Sequence, residues 1–124
     1  MSFIRYRAVL DSTLLDAVDV TEGLPEDGVL VVNTQDEPAE VRKKLDLQGR
    51  RVFTVDATQI SIDCLGKPIP NAPMIGAIMR ATDILPIEGV IRGFKHKFSD
   101  KLRPEMIEGN IKAIQRAYEE VKTE

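Results

Sequence analysis

Polar residues follow three apolar runs of this sequence, at the point where each run ends. Residues 11–12 (Asp-Ser) follow the first run, Asn33 and Thr34 the second, and residues 56–58 (Asp-Ala-Thr) the third. Ligands of parallel α/β proteins gather beyond the carboxyl ends of the strands, so these positions are candidate binding residues. Asp, Asn, Ser and Thr also cap helices. The pattern favours capping and leaves a ligand-binding role open beside it.

The residues that could act in catalysis do not form a catalytic set. A cysteine nucleophile needs a neighbouring base, usually histidine, and the chain has one Cys, Cys64, and one His, His96. Cys64 lies on the apolar face of a predicted helix, which favours a thiol packed in the core over a reactive one. His96 lies on the polar side of another predicted helix, which favours a solvated surface residue. We therefore predict no catalytic residue and no metal ligand in this chain.

The sequence also lacks the signatures of several common binding functions. A dinucleotide site would place a G-x-G-x-x-G pattern after the first strand, yet the first glycine after Leu10 is Gly23. The net charge of −3 argues against a nucleic-acid partner, and no apolar run reaches the roughly 20 residues of a membrane span. A single Cys cannot form an intrachain disulfide or supply the about four thiolates of an iron–sulfur cluster, and it indicates a reducing, cytoplasmic setting.

Alternating strand and helix patterns indicate how the candidate residues are positioned. Apolar, β-branched runs predict strands over residues 5–10, 28–33 and 51–56. Helical patterns cover residues 12–17, 36–45, 56–66, 86–98 and 103–121. Strands this apolar fit a sheet covered on both faces, and the strand–helix alternation favours parallel pairing. The sequence predicts one α/β domain over residues 1–124, with a small, mainly parallel sheet flanked by helices in three layers and a helical C-terminal part.

The segment PNAPMIGAIM, residues 70–79, is apolar on every side of its predicted helix. A surface helix normally has one apolar stripe, whereas Met74, Ile75, Ile78 and Met79 point in several directions. Three strands are few to cover such a helix, since a sheet usually has about five or six. We therefore expect these four side chains at an interface with another polypeptide. The alternative is a helix buried within this domain.

A basic cluster, RGFKHKFSDKLR, covers residues 92–103 and contains five Lys or Arg. Its simplest interpretation is the solvated end of a helix. The alternative is a docking face for an acidic partner.

Five segments carry a family resemblance when they are taken together and in order. They are VDVTEGLPEDGVLVVNT, VFTVDATQIS, GKPIPNAPMIGAIMRATDIL, KHKFSDK and NIKAIQRAYEEV. With these segments the chain resembles the gamma subunit of 2-oxoacid:ferredoxin oxidoreductases of the pyruvate type (pyruvate synthase), from about Ala8 to Val121. A gamma chain of this family begins with a glycine-rich segment and its helix. The chain therefore resembles the carboxyl-terminal half of such a subunit.

The resemblance implies a non-catalytic subunit, or part of one, in a complex of anaerobic metabolism. The complex oxidises a 2-oxoacid with coenzyme A to acyl-CoA and CO2 and reduces ferredoxin. The implied partners are the alpha, beta and delta subunits, a separate glycine-rich gamma half, and ferredoxin indirectly. The complex is expected to use thiamine diphosphate, Mg, iron–sulfur clusters and coenzyme A, with none of them bound by this chain alone and no activity from the chain alone.

Any contact with coenzyme A is expected at the strand-end residues Asn33, Thr34 and Asp56 and at Asn71 in the PNAPM stretch. A different class of function stays open beside this one. It is a small α/β protein-interaction or ligand-binding domain that acts as a homo-oligomer without enzyme activity.

Overall fold

The chain alternates strands and helices in its first half and is helical in most of its second half. The computed structural model describes residues 5–17 and 19–124, so residues 1–4 and 18 of the predicted domain lie outside the described part. The strands are β1 (Tyr6–Val9), β2 (Val29–Asn33), β3 (Arg51–Val55) and β4 (Lys122–Thr123). The helices are α1 (Leu14–Ala17), α2 (Pro38–Leu45), α3 (Ala57–Leu65), α4 (Asn71–Thr82), α5 (Ile87–Phe98) and α6 (Pro104–Glu120).

The four strands form one sheet in the order β1-β2-β3-β4. β1, β2 and β3 pair in parallel, with Val31 opposite Ala8 on one side and Phe53 on the other. β4 pairs antiparallel to β3. All five residues of β2 are buried, because helices cover both faces of a mainly parallel sheet. The predicted fold class is confirmed.

β4 is the strand that the sequence pattern misses. The helical stripe suggests a helix through Val121, but α6 ends at Glu120 and Val121 has an extended ψ of 135°. Lys122 then pairs with Thr54, and Thr123 pairs with Phe53. A strand of two exposed residues has no apolar alternation by which it could be detected. Within the described ranges the sheet therefore has four strands and not the predicted three.

Alternate side chains of the strands form two cores, one on each face of the sheet. Val29 and Val31 of β2 belong to the core that includes α3, α4 and α6. Leu30 and Val32 belong to a second core, which includes α1 and α2. Successive residues of a strand point to opposite faces, so the apolar run of β2 supplies both cores. The result is the three-layer arrangement that the sequence predicts.

Helix α4 is apolar all round because the chain itself covers it from more than one direction. It contacts β2 and β3 of the sheet and also the long helix α6. The two helices approach closely at Gly76, where a Cβ would overlap the carbonyl oxygen of Ile114. Met74 is 2% exposed and belongs to this core. The expectation that Met74 lies at an interface with another polypeptide is therefore wrong, since the 17 residues of α6 supply the cover that the narrow sheet lacks.

The other three residues of that prediction are in a different position. Ile75, Ile78 and Met79 are partly buried and partly exposed on α4. Their contact with another polypeptide stays a prediction.

Helix α5 lies on the outside of the α4–α6 layer. Ile87, Ile91 and Phe94 pack against the core, yet none of the residues of α5 is fully buried. Over residues 5–17 and 19–124, no helix combines the length and the apolar content that crossing a membrane requires.

Candidate functional site

The carboxyl ends of β1, β2 and β3 open into one cleft of about 630 Å³. The lining comes from the strand ends, the loop after β2 and the loop before α4, and consists of Leu10, Asp11, Ser12, Asn33, Thr34, Gln35, Asp36, Asp56, Thr58, Pro68 and Pro70. Three of the four residues that the sequence singles out, Asn33, Thr34 and Asp56, meet here. The fourth, Asn71, is exposed as the first residue of α4 and follows Pro70, but it does not line the cleft.

Asn33 ties the three strand ends together. Its side-chain nitrogen donates to the Leu10 carbonyl oxygen at 2.9 Å and to Thr58 Oγ1 at 2.8 Å. Its side-chain oxygen accepts from the backbone N–H groups of Ala57 at 2.9 Å and Thr58 at 3.3 Å. An amide side chain has two N–H donors and two lone pairs on its oxygen, so all four are used within the chain. Asn33 therefore shapes the cleft and has no hydrogen bond left for a ligand.

Asp56 caps α3. Its side chain accepts from the Gln59 N–H at 3.2 Å, and its backbone oxygen accepts from the Ile60 N–H at 3.1 Å. With the two N–H groups bound by Asn33, the first four N–H groups of the helix all have partners. The capping interpretation of the sequence holds at this strand end. The start of α3 consequently offers no free N–H to an anion, unlike many helix N-termini.

The charge of the cleft is negative. Asp11 Oδ1 accepts from the Thr13 hydroxyl at 2.7 Å and the Thr13 N–H at 3.0 Å, and these bonds lower the pKa of Asp11 below its ordinary value of 3.8. Asp36 and Asp56 also line the cleft, and no lining residue is Lys, Arg or His. A phosphate group in this cleft would need cations from outside the lining to offset the three carboxylates.

The uncharged groups of the cleft are hydroxyls and an amide. Thr34 Oγ1 accepts from the Asp36 N–H at 3.2 Å, while its proton finds no acceptor within the part of the chain that the structure describes. Ser12 and Gln35 line the same cleft. These side chains suit the carbonyl and hydroxyl groups of a neutral polar ligand segment.

A buried serine organises one wall of the cleft. Ser61 is fully buried, and its hydroxyl donates to the Lys67 carbonyl oxygen and accepts from the Ile69 N–H at 2.9 Å. These bonds hold the loop that carries Pro68 and Pro70 into the cleft. The sequence analysis misses Ser61 because a single serine on a helix has no spacing that marks it. Its position on the apolar face of α3 is the one signal that could have found it.

The two side chains considered for catalysis lie elsewhere. Cys64 is half-buried and packs against the core, and His96 is exposed on α5, as the sequence predicts for both. Across residues 5–17 and 19–124, no three His, Cys, Asp or Glu side chains converge to hold a metal ion. The chain also cannot supply the about four thiolates of an iron–sulfur cluster, because it has a single Cys.

A small, mainly parallel sheet between helical layers, with a polar cleft at its strand ends, defines a three-layer α/β domain, a class in which ligands bind at the strand ends. Residues 4–120 match the family model of the pyruvate ferredoxin/flavodoxin oxidoreductases, and the chain belongs to this family.

Several characterised relatives resemble the chain along nearly its whole length. The pyruvate synthase subunit PorC of Thermotoga maritima is 43% identical over 114 residues, which are 92% of this chain and 58% of PorC. The common gamma subunit of the pyruvate/ketoisovalerate oxidoreductases of Pyrococcus furiosus is 43% identical over 94% of this chain and 60% of that subunit. The crystal structure of PORC from Thermotoga maritima superposes with a TM-score of 0.83 at 41% identity, over 96% of this chain and 64% of that one. The chain thus spans about three fifths of the length of these relatives.

Proposed function

We propose that this chain is a non-catalytic gamma-type subunit, or part of one, of a pyruvate (2-oxoacid):ferredoxin oxidoreductase. The observation that carries the proposal is the 43% identity, along more than nine tenths of the chain, to proteins named as the PorC and common gamma subunits of such enzymes. The complex would decarboxylate a 2-oxoacid oxidatively to acyl-CoA and CO2 and reduce ferredoxin.

The partners proposed for this role are the alpha, beta and delta subunits and a glycine-rich gamma half. Thiamine diphosphate, Mg and the iron–sulfur clusters would be held by other subunits, and for the clusters this agrees with the single Cys of the chain. The gamma half would add to the sheet at β1, which pairs with β2 alone among the described strands. The single Cys favours a cytoplasmic setting for the assembly.

Within this function, the strand-end cleft is assigned to the vicinity of coenzyme A. The hydroxyl of Thr34 and the exposed amide of Asn71 would meet the ligand, while Asn33 and Asp56 hold the backbone around it. The neutral amide-containing arm of coenzyme A suits these groups. Its phosphates would require Lys or Arg from another subunit, because three carboxylates line the cleft.

Co-purification tests the proposed function. A tagged form of this chain, produced in its native host, is expected to co-elute with 2-oxoacid- and coenzyme A-dependent reduction of ferredoxin. The purified chain alone should be inactive. If the tagged chain never co-elutes with that activity, the proposed function is wrong.

The coenzyme A assignment has its own test in the assembled complex. Thr34→Ala and Asn71→Ala should each raise the Michaelis constant for coenzyme A and leave that for the 2-oxoacid unchanged. Gln115→Ala is the control, because Gln115 is exposed on α6 and does not line the cleft. An unchanged constant for coenzyme A in both variants would remove the cleft from the coenzyme A site.

A homo-oligomer is the second candidate function, and the edge strand favours it. Tyr6 is 44% exposed and Leu10 is 41% exposed, and an exposed strand edge can pair with a second copy. Light scattering of the purified chain separates the two candidates. A dimer that persists in the presence of the other subunits and carries no oxidoreductase activity would favour this alternative.

A further inference from the structure

Helix α5 and the turn after it form a basic surface on a chain that is acidic as a whole. Residues 92–103 contain five positive side chains and one acidic residue, Asp100, whereas the entire chain has a net charge of −3. All five positive side chains are exposed. We call them the basic face, which consists of Arg92, Lys95, Lys97, Lys101 and Arg103. Residues 92–103 therefore carry five of the 17 Lys and Arg of the chain beside a single carboxylate.

The basic face makes no ion pair with any residue that the structure describes. Five basic residues elsewhere in the described part form ion pairs, for example Arg42 with Glu124 at 2.7 Å and Arg116 with Asp63 at 2.7 Å. On the basic face, Lys97 lies over the Phe98 ring at 5.7 Å, a contact that leaves its ammonium group able to meet a carboxylate. The acids closest in sequence, Asp100, Glu105 and Glu88, form no ion pair with it. The described residues thus provide the positive side chains of the basic face but no carboxylate that pairs with them.

Exposed apolar side chains lie at the opposite end of α5. Ile84 and Leu85 in the turn before α5 are each 56% exposed, the largest exposure of any large apolar side chain described. α5 itself has no fully buried residue. Neighbouring exposed apolar side chains of this size are candidates for a protein–protein contact.

The glycines of α5 have no packing role among the residues that the structure describes. A Cβ at Gly89 or Gly93 would meet no other described atom within 4 Å, in contrast to Gly76 on α4. Glycine inside a helix costs about 1 kcal/mol relative to alanine. Two glycines one turn apart leave the backbone of α5 open to close approach by another molecule.

We infer that α5 and the turns at its two ends dock against an acidic face of another subunit of the oxidoreductase, with carboxylates opposite Lys95, Lys97 and Lys101 and apolar side chains against Ile84 and Leu85. This inference rests on the proposed function. Charge complementarity identifies the partner as an acidic protein surface. A nucleic-acid partner is disfavoured by the acidic remainder of the chain, and a second copy of the chain is distinguished from a different subunit by the test.

Zero-length cross-linking of the intact complex with a carbodiimide tests the contact directly, because this reagent joins an amine to a carboxylate only where the two touch. The expected products join Lys95, Lys97 or Lys101 to an Asp or Glu of a different polypeptide. Lys43, which is exposed on α2, is the matched lysine. Products confined to this chain or to a second copy of it, or none from the basic face, would overturn the inference.

Charge reversal gives an independent measure. Lys95→Glu combined with Lys97→Glu should weaken association with the purified partner subunits by about tenfold or more and reduce its dependence on salt. Lys43→Glu should change the association less than about twofold. Both variants should keep the circular dichroism spectrum of the parent chain, because the substituted side chains are exposed and unpaired among the described residues. Equal effects of the two variants, or binding of the basic face to RNA in place of a subunit, would contradict the inference.

The two proposals fail in different ways. If the chain co-elutes with the activity while Lys95, Lys97 and Lys101 react with an amine-specific acetylating reagent as fast as Lys43, the docking inference is wrong and the proposed function stands. If the chain never co-elutes with the activity, both the proposed function and the subunit contact are wrong.

Discussion

The side-chain nitrogen of Asn33 lies 2.8 Å from Thr58 Oγ1, so the end of β2 is bonded to the first turn of α3. The same nitrogen also reaches the carbonyl oxygen of Leu10 at the end of β1. One buried amide therefore fixes the relative positions of three elements around the cleft. The sequence pattern suggests Asn33 as a ligand contact, whereas in the structure its side chain holds β1, β2 and α3 together.

Removing the side-chain amide of Asn33 should destabilise the fold. Asn33→Ala leaves the Ala57 N–H and the Leu10 carbonyl oxygen without their side-chain partners, so the free energy of unfolding should fall by about 2–4 kcal/mol. Urea unfolding measures the change. Gln35→Ala, at an exposed position beside it, should change the free energy by less than about 0.5 kcal/mol. Similar changes in the free energy of unfolding for the two variants would contradict this role of Asn33.

The glycines of α4 and α5 should respond to alanine in opposite directions. Gly76→Ala forces α4 and α6 apart, because its Cβ would overlap the Ile114 carbonyl oxygen, and should destabilise the chain by about 2 kcal/mol or more. The Cβ of Gly93→Ala would meet none of the described atoms within 4 Å, so this change should stabilise the chain by about 0.5–1 kcal/mol through helix propensity alone. Thermal unfolding of the two variants side by side measures both. Stabilisation by Gly76→Ala would show that the helices are not in close contact there.

A substitution at Thr54 should stabilise the folded chain. It is 1% exposed, and its hydroxyl has no partner among the described residues, so it loses hydration without gaining a hydrogen bond. Thr54→Val keeps the shape and removes the unpaired group, and the free energy of unfolding should rise by about 1 kcal/mol. Thr58→Val should do the reverse, since the Thr58 hydroxyl accepts a bond from Asn33. A loss of stability in Thr54→Val would mean that the Thr54 hydroxyl is satisfied in solution.

Asp63 should contribute to acid unfolding. Arg116, 2.7 Å from Asp63 Oδ2, is the main cause of a pKa of Asp63 below the ordinary value of 3.8, and a hydrogen bond from Gln59 adds to it. The unfolded state therefore binds this proton more readily than the folded state. The resulting stabilisation is complete above pH 3.8 and is lost as the pH falls through the lower pKa of the folded state.

In Asp63→Asn the free energy of unfolding should accordingly fall less steeply as the pH decreases below 3.8, the ordinary pKa of Asp. Urea titrations at a series of acid pH values measure the slope. At neutral pH the effect should be small, since both side chains of the pair are more than a third exposed. Asp100→Asn, outside any described ion pair, is the control. A slope unchanged in Asp63→Asn and changed in Asp100→Asn would contradict the assignment.

The amino-acid sequence by itself determined the elements and their class. The apolar, β-branched run of β2, the capping residue Asp56 and the stripes of α5 and α6 are local patterns, and each is set by neighbours within a few turns of the chain. For this reason the fold class, the three parallel strands and the gathering of Asn33, Thr34 and Asp56 at one edge of the sheet could all be predicted. The segments that carry the family resemblance are equally local.

Tertiary structure alone decided which polar groups are still free and which apolar groups are already covered. The side chain of Asn33 forms its hydrogen bonds with residues 23 to 25 positions away in the sequence. Met74 is buried by a helix that begins 30 residues after it. β4 exists because two residues near the C-terminus meet β3. Hydrogen bonding and burial depend on partners that are distant along the chain, and a periodic pattern records only which side of an element is apolar and not what lies against it.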